Sequence, residues 1–288
     1  MDLAGLIAFN VVTGIAMLCL ITIGLGVIYG MMRIINLAHG ELMMLGAFTC
    51  VIATEAGINI WISIFVLSPL VVGIIGLVLE RTIIRFLYGR ILDTMLATWG
   101  ISIGLTGLIV TIFGNNVRTL ANPAPSFGIG EYSTSLYGLV VVAVAVGALG
   151  SLFALLRFTK FGLILRATME RPGMAAALGI KPDTVYMATF ALGSALAGMA
   201  GAVLAPISGV SPVMGVAYIT RAFITVLGGG AAIVTGTGLA SMLFGTIDEL
   251  VSFKASPVIG SVAMLMTAVV LIRILPTGIT GRFLRRSL

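Results

Sequence analysis

The chain has 288 residues, of which 59% are hydrophobic and only 9% are charged, and its formal net charge is +6. Because an ordinary soluble domain is about a quarter charged, this composition excludes a soluble protein and predicts an integral membrane protein. The positive charge does not indicate a nucleic-acid partner, since the basic residues lie in short clusters between long apolar runs, as they do in cytoplasmic loops.

Apolar segments follow one another along the whole chain, and a helix needs roughly 20 apolar residues to cross a bilayer. They predict one all-α polytopic membrane domain of residues 1–288, with about eight or nine transmembrane segments that include short or re-entrant helices. The segments are residues 3–32, 37–54, 56–79, 94–113, 135–156, 185–206, 219–253 and 257–275.

The basic residues also predict how the chain crosses the membrane. Cytoplasmic loops carry an excess of lysine and arginine, and the basic clusters lie in the loops 80–93 and 157–184 and in the tail after residue 273. We expect these three regions in the cytoplasm, so the C-terminus is cytoplasmic. Counting the spans back from the first basic loop places the N-terminus outside.

The first apolar region is interrupted by "RIINLAHGELMML", which contains Asn36, Glu41 and the only histidine of the chain, His39. Ionisable groups within a membrane are functional candidates. A histidine-based metal site would need further ligands beside His39, so we predict neither a metal site nor a catalytic site here. We interpret the stretch as a break in the span, with Asn36 and His39 able to satisfy backbone groups that the break frees. The alternative is an ordinary loop between two spans.

A second break is predicted at "GGGAAIVTGTG", residues 228–238. The spans on either side of 219–253 require that region to begin and end outside, which two short or re-entrant helices can do. Non-helical backbone at membrane depth is tolerated where it lines a wet cavity, so this bend is expected to border a pathway. One interrupted segment in each half is typical of transporters built from inverted repeats, although no residue-by-residue repeat is visible.

Candidate residues for the solute pathway are polar, aromatic or backbone-exposing residues at presumed membrane depth. For other polar and small residues we predict structural roles. The charged residues at the ends of apolar runs are expected to anchor helices or to pair between them. Cys19 and Cys50 are interpreted as core thiols, and close helix packing is expected at Gly193, Ala197 and Gly201. The pathway candidates are Asn36, His39, Glu41, Thr98, Trp99, Thr225, Gly228, Gly229 and Thr235.

The cytoplasmic loop 157–184 contains a predicted short helix at residues 172–178, with Pro172 at its start and Gly179 in a stop position. Asp183 is expected to cap the next span. A short helix between basic arms indicates either a docking element for another protein or a solvated connector, and these residues alone leave both alternatives open.

Several stretches together resemble one known family. "GLGVIYGMMRIINLAHGELMMLGAF" is similar to the signature of the LivH-type membrane permeases of branched-chain amino acid ATP-binding cassette importers, and "RATMERPGMAAALGI" resembles the coupling loop of that family. "VLGGGAAIVTGTGLASMLFG" and the tail "RILPTGITGRF" also fit, so the resemblance covers nearly the whole chain. The family includes permeases for urea and short amides, which "LYGRILDTMLATWGIS" resembles.

The resemblance implies a transport subunit in the bacterial inner membrane rather than an enzyme. It implies a second and usually unlike permease subunit, two ATPase subunits that dock on the coupling loops, and an extracytoplasmic solute-binding protein. ATP would be used by the partner subunits, with no cofactor in this chain. The helix around residues 172–178 would transmit ATP-driven closure, and the residues implied in this coupling are Glu170, Arg171, Pro172, Ala175, Ala176 and Gly179.

The leading functional hypothesis is therefore a permease subunit that moves branched-chain amino acids, or a related small polar solute such as urea or a short amide, into the cytoplasm. A phosphate-binding Walker loop needs a lysine directly after its last glycine, and none of Lys160, Lys181 and Lys254 follows a glycine. ATP hydrolysis would then require a partner. The alternatives are a secondary carrier and a passive channel for small amides.

Overall fold

The computed structural model describes residues 2–129, 132–230 and 232–283, and most of them are helical. Every apolar segment predicted from the sequence forms a helix, which confirms the all-α polytopic fold. The helices are α1 (Asp2–Met32), α2 (His39–Glu55), α3 (Ile60–Ile62), α4 (Ser68–Thr82), α5 (Ile91–Phe113), α6 (Tyr137–Phe158), α7 (Lys160–Glu170), α8 (Pro172–Ala177), α9 (Pro182–Ser208), α10 (Met214–Gly229), α11 (Ile233–Lys254), α12 (Pro257–Ile274) and α13 (Gly278–Phe283).

Two short irregular helices complete the pattern. A π-helical segment, Ser63–Leu67, joins α3 to α4 without a break, and a 3₁₀ turn, Ile84–Leu87, follows α4. The loop between α5 and α6, predicted from its turn residues, contains a small antiparallel hairpin in which Ser126 lies opposite Ser135. Its strands are β1 (Ser126–Ile129) and β2 (Tyr132–Ser135).

Six helices of the described chain are long and apolar enough to cross a membrane. They are α1, the continuous segment Ile60–Thr82, α5, α6, α9 and the segment beginning with α12. The pair α10 and α11 is bent by 114° and adds a seventh if it forms one broken span. The higher number expected from the sequence also counted α2, in which 13 of the 17 residues are buried.

The described chain divides into two compact units. The first unit comprises the described parts of residues 1–22, 121–149 and 221–288, and its core is formed by Leu18, Ala240, Phe244, Met264 and Ala268. The second unit comprises residues 23–120 and 150–220. Its buried side chains include Ile28, Ile34, Ile84 and Phe190.

Small residues allow α9 to pack closely in the second unit, as the four-residue spacing predicted. A Cβ atom added at Gly201 would overlap the carbonyl oxygen of Met43 in α2, and one at Gly193 would lie 2.8 Å from the carbonyl oxygen of Gly24 in α1. At Gly46 a Cβ would overlap the backbone of Gly198. Helices that approach this closely gain dispersion contacts in lipid, where the hydrophobic effect does not drive association.

The cysteines and Asp183 had predicted structural roles, with different outcomes. Cys19 and Cys50 are both buried and free, as expected for core thiols. The prediction that Asp183 caps α9 is wrong, because α9 begins at Pro182 and Asp183 lies inside its first turn. The Asp183 carboxylate instead accepts a hydrogen bond from Arg85 at 3.1 Å. The tail arginines Arg285 and Arg286 lie outside the described residues.

Candidate functional site

The first helix break lies between α1 and α2. The chain leaves α1 through Arg33, whose φ of 52° places it in the left-handed region. Two backbone amides that the break frees find side-chain acceptors: the amide of Ala38 donates to Asn36 Oδ1 at 3.1 Å, and that of Leu37 donates to Thr98 Oγ1 at 3.1 Å. Because Thr98 belongs to α5, the break is held by a neighbouring helix, which distinguishes it from an ordinary loop. The predicted role of Asn36 at freed backbone groups is confirmed.

Glu41 lies in the first turn of α2, close to the positive end of that helix. Its side chain is only 1% exposed, so of the two structural roles expected from the sequence it fits pairing between helices rather than anchoring. It is hydrogen-bonded to Ser102 of α5, and its Oε1 lies 2.9 Å from the position that a Cβ at Gly215 would occupy. Its Oε2 has no hydrogen-bond partner in the structure.

The close approach around Glu41 depends on two glycines. A Cβ atom at Gly40 would overlap the carbonyl of Gly215, so the beginning of α2 and the beginning of α10 meet backbone to backbone. His39 is fully buried beside Gly24 of α1. The polar residues at the first break are called the α2 cluster: Asn36, His39, Glu41 and Thr98 are buried, and Ser102 is half-buried.

Trp99 is not part of the α2 cluster. It follows Thr98 directly in α5, but its side chain is 56% exposed while that of Thr98 is buried. Successive residues of a helix point about 100° apart, which explains why only one of the two faces the break. Ser102 was missed by the sequence analysis, although it lies four residues after Thr98 and therefore on the same helical face.

The second helix break, between α10 and α11, is held in the same manner. The hydroxyl of Thr280 donates to the carbonyl of Gly229 at 2.7 Å and accepts a hydrogen bond from the amide of Ala232 at 3.3 Å. Gly230 adopts a φ of 84°, which a residue with a side chain rarely adopts. A threonine from a later helix thus bridges each break, and Thr280, which lies in α13, was not predicted from the sequence.

The pathway candidates of this second break lie in different environments. Thr225 is fully buried and donates to the carbonyl of Arg221 at 2.7 Å. Gly228 and Gly229 are buried, and a Cβ at Gly228 would lie 2.6 Å from the ring of Phe244. Thr235, in contrast, is exposed on α11. Ala231, at the centre of the bend, lies outside the described residues.

A partly buried ion pair joins the two helices on either side of the second break. Arg221 of α10 contacts Asp248 of α11 at 3.2 Å and donates a hydrogen bond to Ser261 of α12 at 2.7 Å. The sequence analysis favoured helix pairing over solute contact for these charges, and the structure shows that pairing. Such a pair costs desolvation energy and joins three helices at one point.

Substitution of Thr98 by valine is expected to destabilise the protein by about 1 to 3 kcal/mol, because the amide of Leu37 would lose its acceptor in a buried position. The free energy of unfolding, measured in detergent with a denaturant, checks this result. Thr98→Ser keeps the hydroxyl and serves as the control, so it should cost less. Equal stabilities of the valine and serine variants would contradict the bridging role of Thr98.

The loop 157–184 contains α7 and α8, and α8 closely matches the helix predicted at residues 172–178. Ala175 is buried, while Glu170, Arg171, Pro172 and Ala176 are intermediate or exposed. Gly179 ends the helix with a φ of 85°, as its stop position predicted. Two large apolar side chains beside them are exposed: Met174 is 61% exposed and Leu178 is 80% exposed.

Another polar contact lies near the C-terminal end of α4. Tyr88, in the loop before α5, donates a hydrogen bond to the carboxylate of Glu80 and packs edge-on against Tyr186 of α9. Burial raises the pKa of Tyr88 above its ordinary value, and the Glu80 carboxylate raises it further. Tyr88 therefore keeps its proton at physiological pH and remains the donor to Glu80.

The sequence matches a known family of membrane transport proteins over most of its length. The family described as "Branched-chain amino acid transport system / permease component" matches residues 7–275. The chain belongs to this family. A LivH permease of Salmonella typhimurium, described as part of a high-affinity branched-chain amino acid transport system, is 29% identical to this permease, with 95% of the chain and 94% of the relative covered.

More distant relatives carry similar descriptions. A probable branched-chain amino acid permease LivH of Methanocaldococcus jannaschii is 28% identical, with 92% of this chain and 89% of the relative covered. The high-affinity permease BraD of Pseudomonas aeruginosa is 27% identical, with 91% of each chain covered. No solved structure gives a significant match. The family assignment confirms that the chain is a multi-pass membrane permease and one component of a transport system. Its family is a family of transporter subunits and is not a known enzyme family.

Proposed function

We propose that this permease is a transmembrane subunit of an ATP-binding cassette importer that carries branched-chain amino acids into the bacterial cytoplasm. The observation that carries the proposal is the family match over nearly the whole chain, together with relatives that are described as branched-chain amino acid permeases in bacteria and in Methanocaldococcus jannaschii. Urea and short amides remain the alternative solutes.

The α2 cluster supports a solute-binding role for the first break. A branched-chain amino acid is a zwitterion, so it needs both an acceptor for its ammonium group and a donor for its carboxylate. Glu41 Oε2 and the amide nitrogen of Asn36 are buried and have no hydrogen-bond partner in the structure. We infer that these two atoms contact the solute when the pathway opens, and that the remaining candidates line the same pathway.

The partners follow from the importer assignment. A second permease subunit, two ATPase subunits that bind ATP, and an extracytoplasmic solute-binding protein complete the transporter. The exposed side chains of Met174 and Leu178 support α8 as the docking element for an ATPase, because adjacent large apolar residues in water mark interaction sites. In the inner membrane, the coupling loop and the C-terminus then face the cytoplasm and the N-terminus faces outside.

Reconstitution in liposomes tests the proposal. Uptake of radiolabelled leucine is expected only when the second permease, the ATPases, ATP and the binding protein are all present. Uptake by the purified chain alone would contradict the importer. It would instead support a secondary carrier or a passive channel. The buried carboxylate of Glu41 is the observation that favours the secondary carrier. Parallel assays with urea distinguish the two classes of solute.

A further inference from the structure

A groove of about 500 Å³ lies between the end of α4 and the beginning of α9. Its charged lining residues are Arg81, Arg85, Lys181 and Asp183, and its apolar lining residues include Ala176, Ile180 and Met187. Thr82 ends the membrane-spanning segment on one side and Pro182 begins the next span on the other. The groove therefore lies at the level where two spans leave the apolar part of the bilayer.

The charges of the groove do not cancel. Arg85 pairs with Asp183 at 3.1 Å, whereas neither Arg81 nor Lys181 forms a salt bridge in the part of the chain that the structure describes. The first turn of α9 also borders the groove, and the beginning of a helix carries a partial positive charge. Glu80 interacts electrostatically with Arg81 and Arg85 and offsets part of this charge, but three cations against two carboxylates leave a net positive charge. Together with the helix terminus, this charge favours an anionic ligand.

An apolar stripe leads along α4 to the groove. Ile74, Leu77 and Val78 are all exposed on this helix. They precede Arg81 by seven, four and three residues, and residues at these spacings lie on one face of a helix. The helix thus presents a lipid-facing apolar surface that ends in an unpaired arginine. A soluble protein partner would explain the cations but not the stripe beneath them.

We propose that this groove binds the phosphate of an anionic phospholipid, with Arg81 and Lys181 contacting the phosphate and the acyl chains following the stripe on α4. Basic pockets between transmembrane helices at the membrane surface are suited to acidic head groups, and charge-assisted hydrogen bonds from arginine and lysine to phosphate are strong. The site does not depend on which solute the permease transports.

Native mass spectrometry of the full-length permease with phosphatidylglycerol, and with phosphatidylcholine as the zwitterionic reference, tests the site. Removal of each cation is expected to weaken phosphatidylglycerol binding about fivefold, and the double variant Arg81→Gln, Lys181→Gln roughly twenty-five-fold. Phosphatidylcholine binding should change little. Both residues are exposed at the surface, so the variants are expected to fold.

Arg157→Gln is the matched control. Arg157 is also an exposed arginine at the end of a span, but it does not line the groove. An equal loss of phosphatidylglycerol binding in this control, or unchanged binding in the double variant, would overturn the proposal. Glycerol phosphate carries the phosphate without acyl chains and so tests the contact with the stripe. It is expected to bind far more weakly than phosphatidylglycerol. Equal affinity of the two ligands would overturn the acyl-chain contact.

A last measurement separates the lipid from a protein partner. ATPase subunits are added to the wild-type permease and to the double variant, and their association is quantified. Unchanged association with reduced phosphatidylglycerol binding is the expected result. Reduced association with unchanged lipid binding would overturn the proposal and assign the groove to the ATPase. Neither outcome depends on transport, so failure of the lipid site is distinguishable from failure of the importer assignment.

Discussion

Leu178→Asp is expected to reduce the stimulation of ATP hydrolysis by solute and binding protein about thirtyfold or more, which corresponds to the loss of an interface hot spot. Leu178 is 80% exposed and follows directly after α8, four residues after Met174, so the two side chains lie on the same side of this short helix. An aspartate on this face would lose water on docking without gaining a partner. The measurement is ATPase activity of the reconstituted transporter.

The controls for this prediction separate docking from folding. Leu178→Met keeps an apolar side chain of similar size and should retain stimulation. The aspartate variant should remain folded, because residue 178 is exposed and contributes little to the core; the amount of monodisperse permease after purification checks this. Wild-type stimulation in the aspartate variant would remove α8 from the ATPase interface, whereas loss of the folded permease would show that Leu178 supports the structure instead.

Gly201→Val is expected to cost more than about 3 kcal/mol and to leave little folded permease, because a side chain at this position collides with backbone. A Cβ atom at Gly201 would overlap the carbonyl of Met43, and backbone cannot relax as a flexible side chain can. The helices α2 and α9 would have to separate. Since α2 also carries His39 and Glu41, separation would disturb the first helix break together with the packing.

A glycine elsewhere in a span provides the comparison for Gly201→Val. Gly104 lies in α5, and a Cβ there would meet no atom within 4 Å. Gly104→Val should therefore change the thermal unfolding temperature only slightly, since it alters helix propensity by a few tenths of a kcal/mol. Similar unfolding temperatures for both variants would contradict the close contact between α2 and α9.

The hydrophobic pattern and the turn residues predict much of this fold. Long apolar runs must become helices in a bilayer, because lipid offers no partner for backbone amides and carbonyls. Interruptions of the apolar pattern predict both helix breaks, because a polar stretch such as residues 33–41 cannot continue an ordinary span. The short helix α8 was predicted from Pro172 and Gly179, whose restricted and permissive backbones mark a beginning and an end.

The environment of Glu41 could not be predicted in the same way. Its place near the end of an apolar run left anchoring, pairing between helices and solute contact open, and only the structure shows the side chain buried against Ser102 and the backbone of Gly215. These partners lie far away in the sequence, and their proximity depends on how α2, α5 and α10 pack. Trp99, in contrast, is adjacent to Thr98 in the sequence but faces a different direction, so neighbours in the sequence do not always share a site.

The sequence by itself determined which segments are membrane helices, where two of them break, and to which family the permease belongs, because these properties follow from local hydropathy and short motifs. Only the tertiary structure decided what holds the breaks. Thr98 and Thr280 each bridge a freed amide and a carbonyl from a distant part of the chain. Their role arises from packing between helices, for which a single sequence carries no local signal.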